Sequence, residues 1–98
     1  MTDENKLIRD TSRAVRAREL LENELLTEAF ATLESAYVAA WRSSSVDNVD
    51  GREKVFLAIN IIGKVREHLI RAVMDGKIAQ AELDLLDQQR TRRARGRS

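Results

Sequence analysis

Few residues of this chain have the types and spacing that chemistry requires. His68 is the only histidine and there is no cysteine, so no His/Cys metal site or catalytic relay can form. Glu24 and Glu28 lie one helical turn apart and could share a cation, but the next helix offers no inward carboxylate to complete that site. The serines at 43–45 have no neighbouring base. We therefore expect no catalytic residue, no metal and no cofactor, and interpret the protein as a non-enzyme.

A second set of residues is suited to binding phosphate. Four basic side chains near the N-terminus are spaced three, four and three apart, which puts them on one helical face: Lys6, Arg9, Arg13 and Arg16. The last nine residues hold five arginines and no acid: Arg90, Arg92, Arg93, Arg95 and Arg97. These two groups predict contact with DNA or with an acidic protein surface. Alternatively, the first group forms ion pairs with acidic residues along its own helix, such as Asp10, Glu19 and Glu22.

Charge is unevenly distributed along the chain. The net charge is only +1, yet residues 1–50 carry six basic and ten acidic side chains, and residues 51–98 carry eleven basic and six acidic ones. Such asymmetry is typical of head-to-tail self-association or of an acidic partner.

Composition favours an all-α protein. The 98 residues include no proline and four glycines, and 34% of them are charged. No apolar run approaches the roughly 20 residues that span a bilayer, and the N-terminus is polar and acidic, unlike a signal peptide. We expect a protein of the cytoplasm (the host-cell cytoplasm if it is viral), with neither a membrane nor a small-molecule substrate as partner.

The pattern of caps and breaks predicts one helical domain over residues 1–89. Helix 1 covers about 10–42, with an earlier start at Thr2 or Asp3 as an alternative. Helix 2 covers about 51–75, opened by a capping pair of Asp50 and Glu53 and closed by a left-handed Gly76. Helix 3 covers about 77–89, and residues 90–98 form a basic, disordered tail.

Two apolar stripes predict that helices 1 and 2 form a long antiparallel hairpin around a turn near Asn48. Its predicted core comprises Leu26, Phe30, Leu33, Tyr37 and Trp41 from helix 1, and Val55, Ile59, Ile62 and Leu69 from helix 2. Gly63 is expected to let a large neighbour such as Phe30 approach the helix 2 backbone; the alternatives are a hinge or a ligand contact. Helix 3 is too short to cover the remaining apolar residues, which predicts a homo-oligomer.

A resemblance is carried by the block LLENELLTEAFATLESAYVAAWRS and by DGREKVFLAINIIGKVREHLIRAVMDGKIAQAEL, within residues 20–83. It is similar to small helical proteins of tailed bacteriophages and prophages. The architecture also resembles the oligomerisation region of small terminase subunits. That resemblance implies helical hairpins that assemble into a ring and engage viral DNA.

Three functions remain open from the sequence. The first is an assembly protein that oligomerises through its hairpin and contacts DNA, as in viral DNA packaging or head assembly. The second is a small viral protein that inhibits a host protein, with a DNA-mimicking acidic face between Glu19 and Glu34. The third is a nucleic-acid-binding accessory factor whose affinity for DNA falls with salt.

Overall fold

Three helices account for the chain between residues 3 and 96, the part that the computed structural model describes. They are α1 (Glu4–Glu22), α2 (Glu24–Ser43) and α3 (Val49–Gly96). Together they hold 87 of these 94 residues, and no strand occurs among them. The prediction of an all-α protein is confirmed.

The first predicted helix, 10–42, is two helices in the structure. Asn23 separates them, with an extended backbone at φ −70° and ψ 116°. In this conformation its side-chain oxygen accepts a hydrogen bond from the Leu26 amide at 2.9 Å. Asparagine is among the best residues for capping a helix N-terminus, so Asn23 starts α2 where it ends α1. The apolar spacing continues across this point and therefore does not reveal the break.

The starts of α1 and α3 also depend on side-chain caps. Asp3 accepts from the amide of Asn5 at 3.1 Å, so α1 begins at the earlier of the predicted sites. Asn48, rather than the predicted Asp50, caps α3 by accepting from the Gly51 amide at 3.2 Å. Both contacts satisfy amides of a first turn that have no partner within the helix.

Helices 2 and 3, predicted over 51–75 and 77–89, are one continuous helix of 48 residues. The prediction that Gly76 closes a helix in the left-handed conformation is wrong, because no described glycine has a positive φ. Gly76 is instead a buried position within α3. The helix continues past Gly76, and the next buried residue, Ala79, lies on the same face of α3 and packs on α1 with it.

The prediction of a disordered tail is also wrong, because α3 continues through Arg90, Arg92, Arg93 and Arg95 to Gly96. Arginine is a good helix former, and basic side chains in a last turn interact favourably with the helix dipole. Arg97 lies outside the described residues.

The described helices form two compact units. Unit 1 contains α1 up to Glu19 and α3 from Ile70 onward; unit 2 is Leu20–Leu69. The prediction of a single domain over residues 1–89 stays a prediction.

Unit 1 holds all the buried residues of the described chain. They are Leu7, Ala14 and Ala17 on α1 and Gly76 and Ala79 on α3. Small side chains let the two backbones come close. A methyl group added to Gly76 would overlap the Ala14 side chain and lie 3.1 Å from the carbonyl oxygen of Asp10. Gly76 therefore has the close-approach role that the sequence suggested for Gly63.

Unit 2 is a hairpin of α2 and the first half of α3, and none of its described residues is buried. The half-buried contact line on α2 consists of Leu26, Phe30, Glu34 and Val38. On α3 it consists of Val55, Ala58, Ile59, Ile62, Arg66 and Leu69. Each of these side chains is covered from one side only, because two helices meet along a single line and have no third element above it.

Candidate interaction surfaces

Arg52 holds the turn of the hairpin. Its guanidinium lies 4.6 Å from the centre of the Trp41 ring. One nitrogen, Nη1, donates to the carbonyl oxygen of Ser44 at 3.1 Å and to the Ser44 hydroxyl oxygen at 3.0 Å. The same side chain thus covers an aromatic face and satisfies carbonyl groups at the end of α2. Sequence reasoning missed Arg52. Two features could have revealed it: Arg52 lies one turn into α3, and the preceding helix has an aromatic residue, Trp41, near its end.

Arg66 occupies the only basic position on the contact line of the hairpin. Its guanidinium lies 5.6 Å from the centre of the Phe30 ring, and Nη2 is 3.5 Å from Oε2 of Glu34. Both charged side chains are 40–45% exposed, so solvent screens the pair and its contribution to stability is small. Arg66 and Phe30 are each 18 residues from Asn48, which is the pairing of a hairpin whose turn is centred near Asn48.

The residues of the predicted hairpin core are only partly buried, because two helices alone cannot enclose them. Leu26, Phe30, Val55, Ile59, Ile62 and Leu69 are half-buried. Leu33 is 47% exposed, and Tyr37 and Trp41 are each 37% exposed. The contact line on α2 runs through Glu34 and Val38, which turns Leu33 and Tyr37 toward one side of the hairpin.

We call that side the hairpin face. On α2 it contains Ala29, Leu33, Ala36, Tyr37 and Ala40, and on α3 it contains Ala58, Ile61 and Val65. Ala58 lies at the edge of the α3 contact line, and the other residues lie on one flank of the contact line of their helix. Because the helices are antiparallel, the two flanks share one side of the hairpin. Ile61 is 60% exposed and Val65 is 44% exposed. None of these eight residues carries a charge.

Unit 1 brings part of the predicted basic set together. At the start of α1, Glu4 accepts from Nη2 of Arg90 at 2.8 Å to each carboxylate oxygen. The hydrogen bond and the charge of Arg90 hold the pKa of Glu4 below its ordinary value, and Glu4 raises the pKa of Arg90 in turn. The arginine-rich end of α3 therefore lies beside the start of α1, and Arg90 is already neutralised within the chain.

The basic stripe of α1, which consists of Lys6, Arg9, Arg13 and Arg16, extends along the length of unit 1. Lys6 follows Glu4 by two residues on α1, and its Nζ is 3.9 Å from Oδ2 of Asp10. Arg13 is next to Ala14, which packs on Gly76, so Arg13 and Arg16 are several turns from the arginine-rich end. Arg9, Arg13, Arg16, Arg92 and Arg93 are exposed and have no ion pair within 4.0 Å among the described residues.

A groove of about 520 Å³ between α1 and α3 of unit 1 is largely acidic. Its charged lining consists of Asp3, Lys6, Asp10, Asp75 and Glu82. No group of three or more metal-ligating side chains is found in the described chain. The groove therefore offsets part of the positive potential of the neighbouring stripe.

No protein-family model, curated protein or solved structure matches this chain. Within the described range, no helix has an apolar stretch long enough to cross a bilayer.

Proposed function

We propose that this protein is a non-enzymatic assembly protein that self-associates through the hairpin face and presents the basic surface of unit 1 to an acidic partner. The observation that carries the proposal is that unit 2 has exposed Leu33, Tyr37, Ile61 and Val65 on one side and no buried residue. A hairpin of two helices cannot form a closed core, whereas two hairpins face to face form a four-helix bundle that can.

A second copy of this chain fits the hairpin face better than a charged ligand does. The face combines large side chains with four alanines, so the large side chains of one copy can pack into the space beside the alanines of the other. Burying the exposed half of a Leu or Ile side chain contributes about 1 kcal/mol, which supports association when several such side chains are buried together.

Exposed arginines favour DNA as the partner of unit 1. The sequence of this unit, residues 1–19 and 70–98, contains twelve basic and eight acidic side chains, whereas residues 20–69 contain five basic and eight acidic ones. The resemblance of residues 20–83 to phage proteins supports a role in viral DNA packaging or head assembly. A host protein bound through the acidic unit 2 is the alternative.

Polar substitutions on the hairpin face test the assembly. We expect Leu33→Asn and Ile61→Asn to lower the mean mass measured by light scattering behind size-exclusion chromatography. Helix content by circular dichroism should stay unchanged, because both side chains are about half exposed in the single chain. Phe56→Asn is the matched control, since Phe56 is 52% exposed on the other flank of α3. Variants that assemble like the native chain would contradict the proposal.

A further inference from the structure

Within unit 1, α3 has a second apolar line that α1 does not cover. It consists of Ile70, Met74, Ile78, Ala81 and Leu85, which we call the back stripe. Ile70 is 44%, Met74 57%, Ile78 61% and Leu85 55% exposed. α1 packs on a different line of α3, through the buried Gly76 and Ala79.

The spacing of the back stripe is that of a helix–helix seam. Its members are four, four, three and four residues apart, and gaps of three and four keep apolar side chains on one face of a helix over several turns. An exposed surface helix needs only one such line to pack in its own fold. A second line on the same segment of α3 therefore indicates that another helix packs there.

We propose that the back stripe binds the back stripe of a second copy, with the two α3 helices antiparallel about a two-fold axis near Ile78. In this arrangement Ile70 lies opposite the partner's Leu85, and Met74 lies opposite the partner's Ala81. The large residues at the two ends of the stripe meet each other, and the alanine gives the longer methionine room.

Charge complementarity selects this orientation. Arg71 and Glu82 border the same flank of the stripe, because eleven residues are close to three helical turns. The antiparallel pairing puts Arg71 of each copy beside Glu82 of the other, on both sides of the axis. Neither side chain has an ion pair within 4.0 Å among the described residues. In a parallel pairing, Arg71 would instead lie at the same height as Arg71 of the second copy, and Glu82 at the same height as Glu82 of the second copy.

Other occupants fit the stripe less well. The charges that border the stripe are of both signs, with Arg71 and Glu82 on one flank and Lys77 and Asp84 on the other, so the stripe lacks the basic border that binds an anionic lipid surface. The stripe also lies along one helix, and the groove beside α1 that Ile78 lines is open, unlike the enclosed sites that bind small molecules.

This interface is separate from the hairpin face, because it lies entirely in unit 1, and it does not rest on the proposed assembly of unit 2. A chain that carries both interfaces can extend beyond a dimer.

Cross-linking tests the axis directly, because the chain has no cysteine. A disulfide needs Cβ atoms about 4 Å apart, a condition that residues next to a two-fold axis meet. We expect Ile78→Cys to form a disulfide-linked dimer, and the exposed control Ser12→Cys to form one much more slowly at equal concentration. Equal rates for the two variants would overturn the proposal. This readout reports on the back stripe whether or not the hairpin face assembles.

Charge reversal then tests the orientation in the Ile78→Cys background. We expect Arg71→Glu or Glu82→Arg alone to slow cross-linking by roughly tenfold, since each places like charges opposite each other twice. Mixing the two variants should restore the rate through hetero-dimers, in which both pairs are of opposite charge.

Two further reversals serve as controls for net charge. Lys64→Glu and Glu53→Arg change exposed side chains of α3 in unit 2 and should leave the cross-linking rate unchanged. If Arg71→Glu has no effect, or if the mixture fails to recover, the antiparallel pairing is overturned.

Discussion

Gly63 and Gly76 are both helical glycines of α3, and only their surroundings distinguish them. Nothing lies within 4 Å of a methyl group placed on Gly63, whereas one placed on Gly76 would overlap Ala14. The sequence assigned the close approach to Gly63 and a helix-ending role to Gly76. Both assignments were wrong for the same reason: a missing side chain is informative only once the element opposite it is known.

Alanine at these two positions should have opposite effects on stability. We expect Gly76→Ala to lower the free energy of unfolding by about 1–3 kcal/mol, because α1 must move away from α3. Gly63→Ala should raise it by up to about 1 kcal/mol, since alanine favours the helix and meets open space. Urea unfolding followed by circular dichroism measures both, and a stabilised Gly76→Ala would contradict the packing described for unit 1.

At the scale of the elements, short polar side chains decide where helices begin. Asn23 and Asn48 each accept a backbone hydrogen bond three residues ahead, from Leu26 and Gly51. The break at Asn23 was not predicted, because the apolar spacing of residues 10–42 continues through this position. An asparagine inside a periodic segment is compatible with both a helix interior and a cap, and the two differ by about 1 kcal/mol.

Removal of the Asn23 cap should destabilise the chain. We expect Asn23→Ala to reduce the free energy of unfolding by about 1 kcal/mol, because the Leu26 amide loses its acceptor. Asn60→Ala provides the matched control: Asn60 is exposed inside α3, and alanine there should be neutral or slightly stabilising. Thermal melting of the two variants checks the difference, and equal melting temperatures would show that Asn23 has no capping role.

At the scale of the whole molecule, charge and apolar surface are divided between the units. Unit 1 has the excess of basic residues and every buried residue of the described chain, whereas unit 2 is acidic and has none buried. This distribution is the basis of our proposal that unit 1 binds the acidic partner and that unit 2 completes its core by self-association.

Binding of duplex DNA should depend on the exposed arginines of unit 1 and on salt. We expect the double variant Arg92→Ser with Arg93→Ser to bind DNA more weakly. The plot of log binding constant against log salt concentration should become less steep by about 2, roughly 0.9 for each lost phosphate contact. Arg42→Ser with Lys64→Ser in unit 2 is the matched control and should leave that slope unchanged. Fluorescence anisotropy at several salt concentrations measures it. A chain that does not bind DNA would favour the host-protein alternative.

The sequence alone determined that the protein is all-α, and its apolar stripes include the half-buried Leu26, Phe30, Val55, Ile59, Ile62 and Leu69 of the hairpin but also the exposed Leu33, Tyr37 and Trp41. These properties are local, since helix propensity and apolar periodicity depend on residues a few positions apart. Tertiary structure decided which asparagine interrupts a stripe, which glycine lies against another helix, and that the arginine-rich segment continues α3. Those outcomes depend on contacts between residues such as Ala14 and Gly76, which are far apart in the chain and which no local pattern encodes.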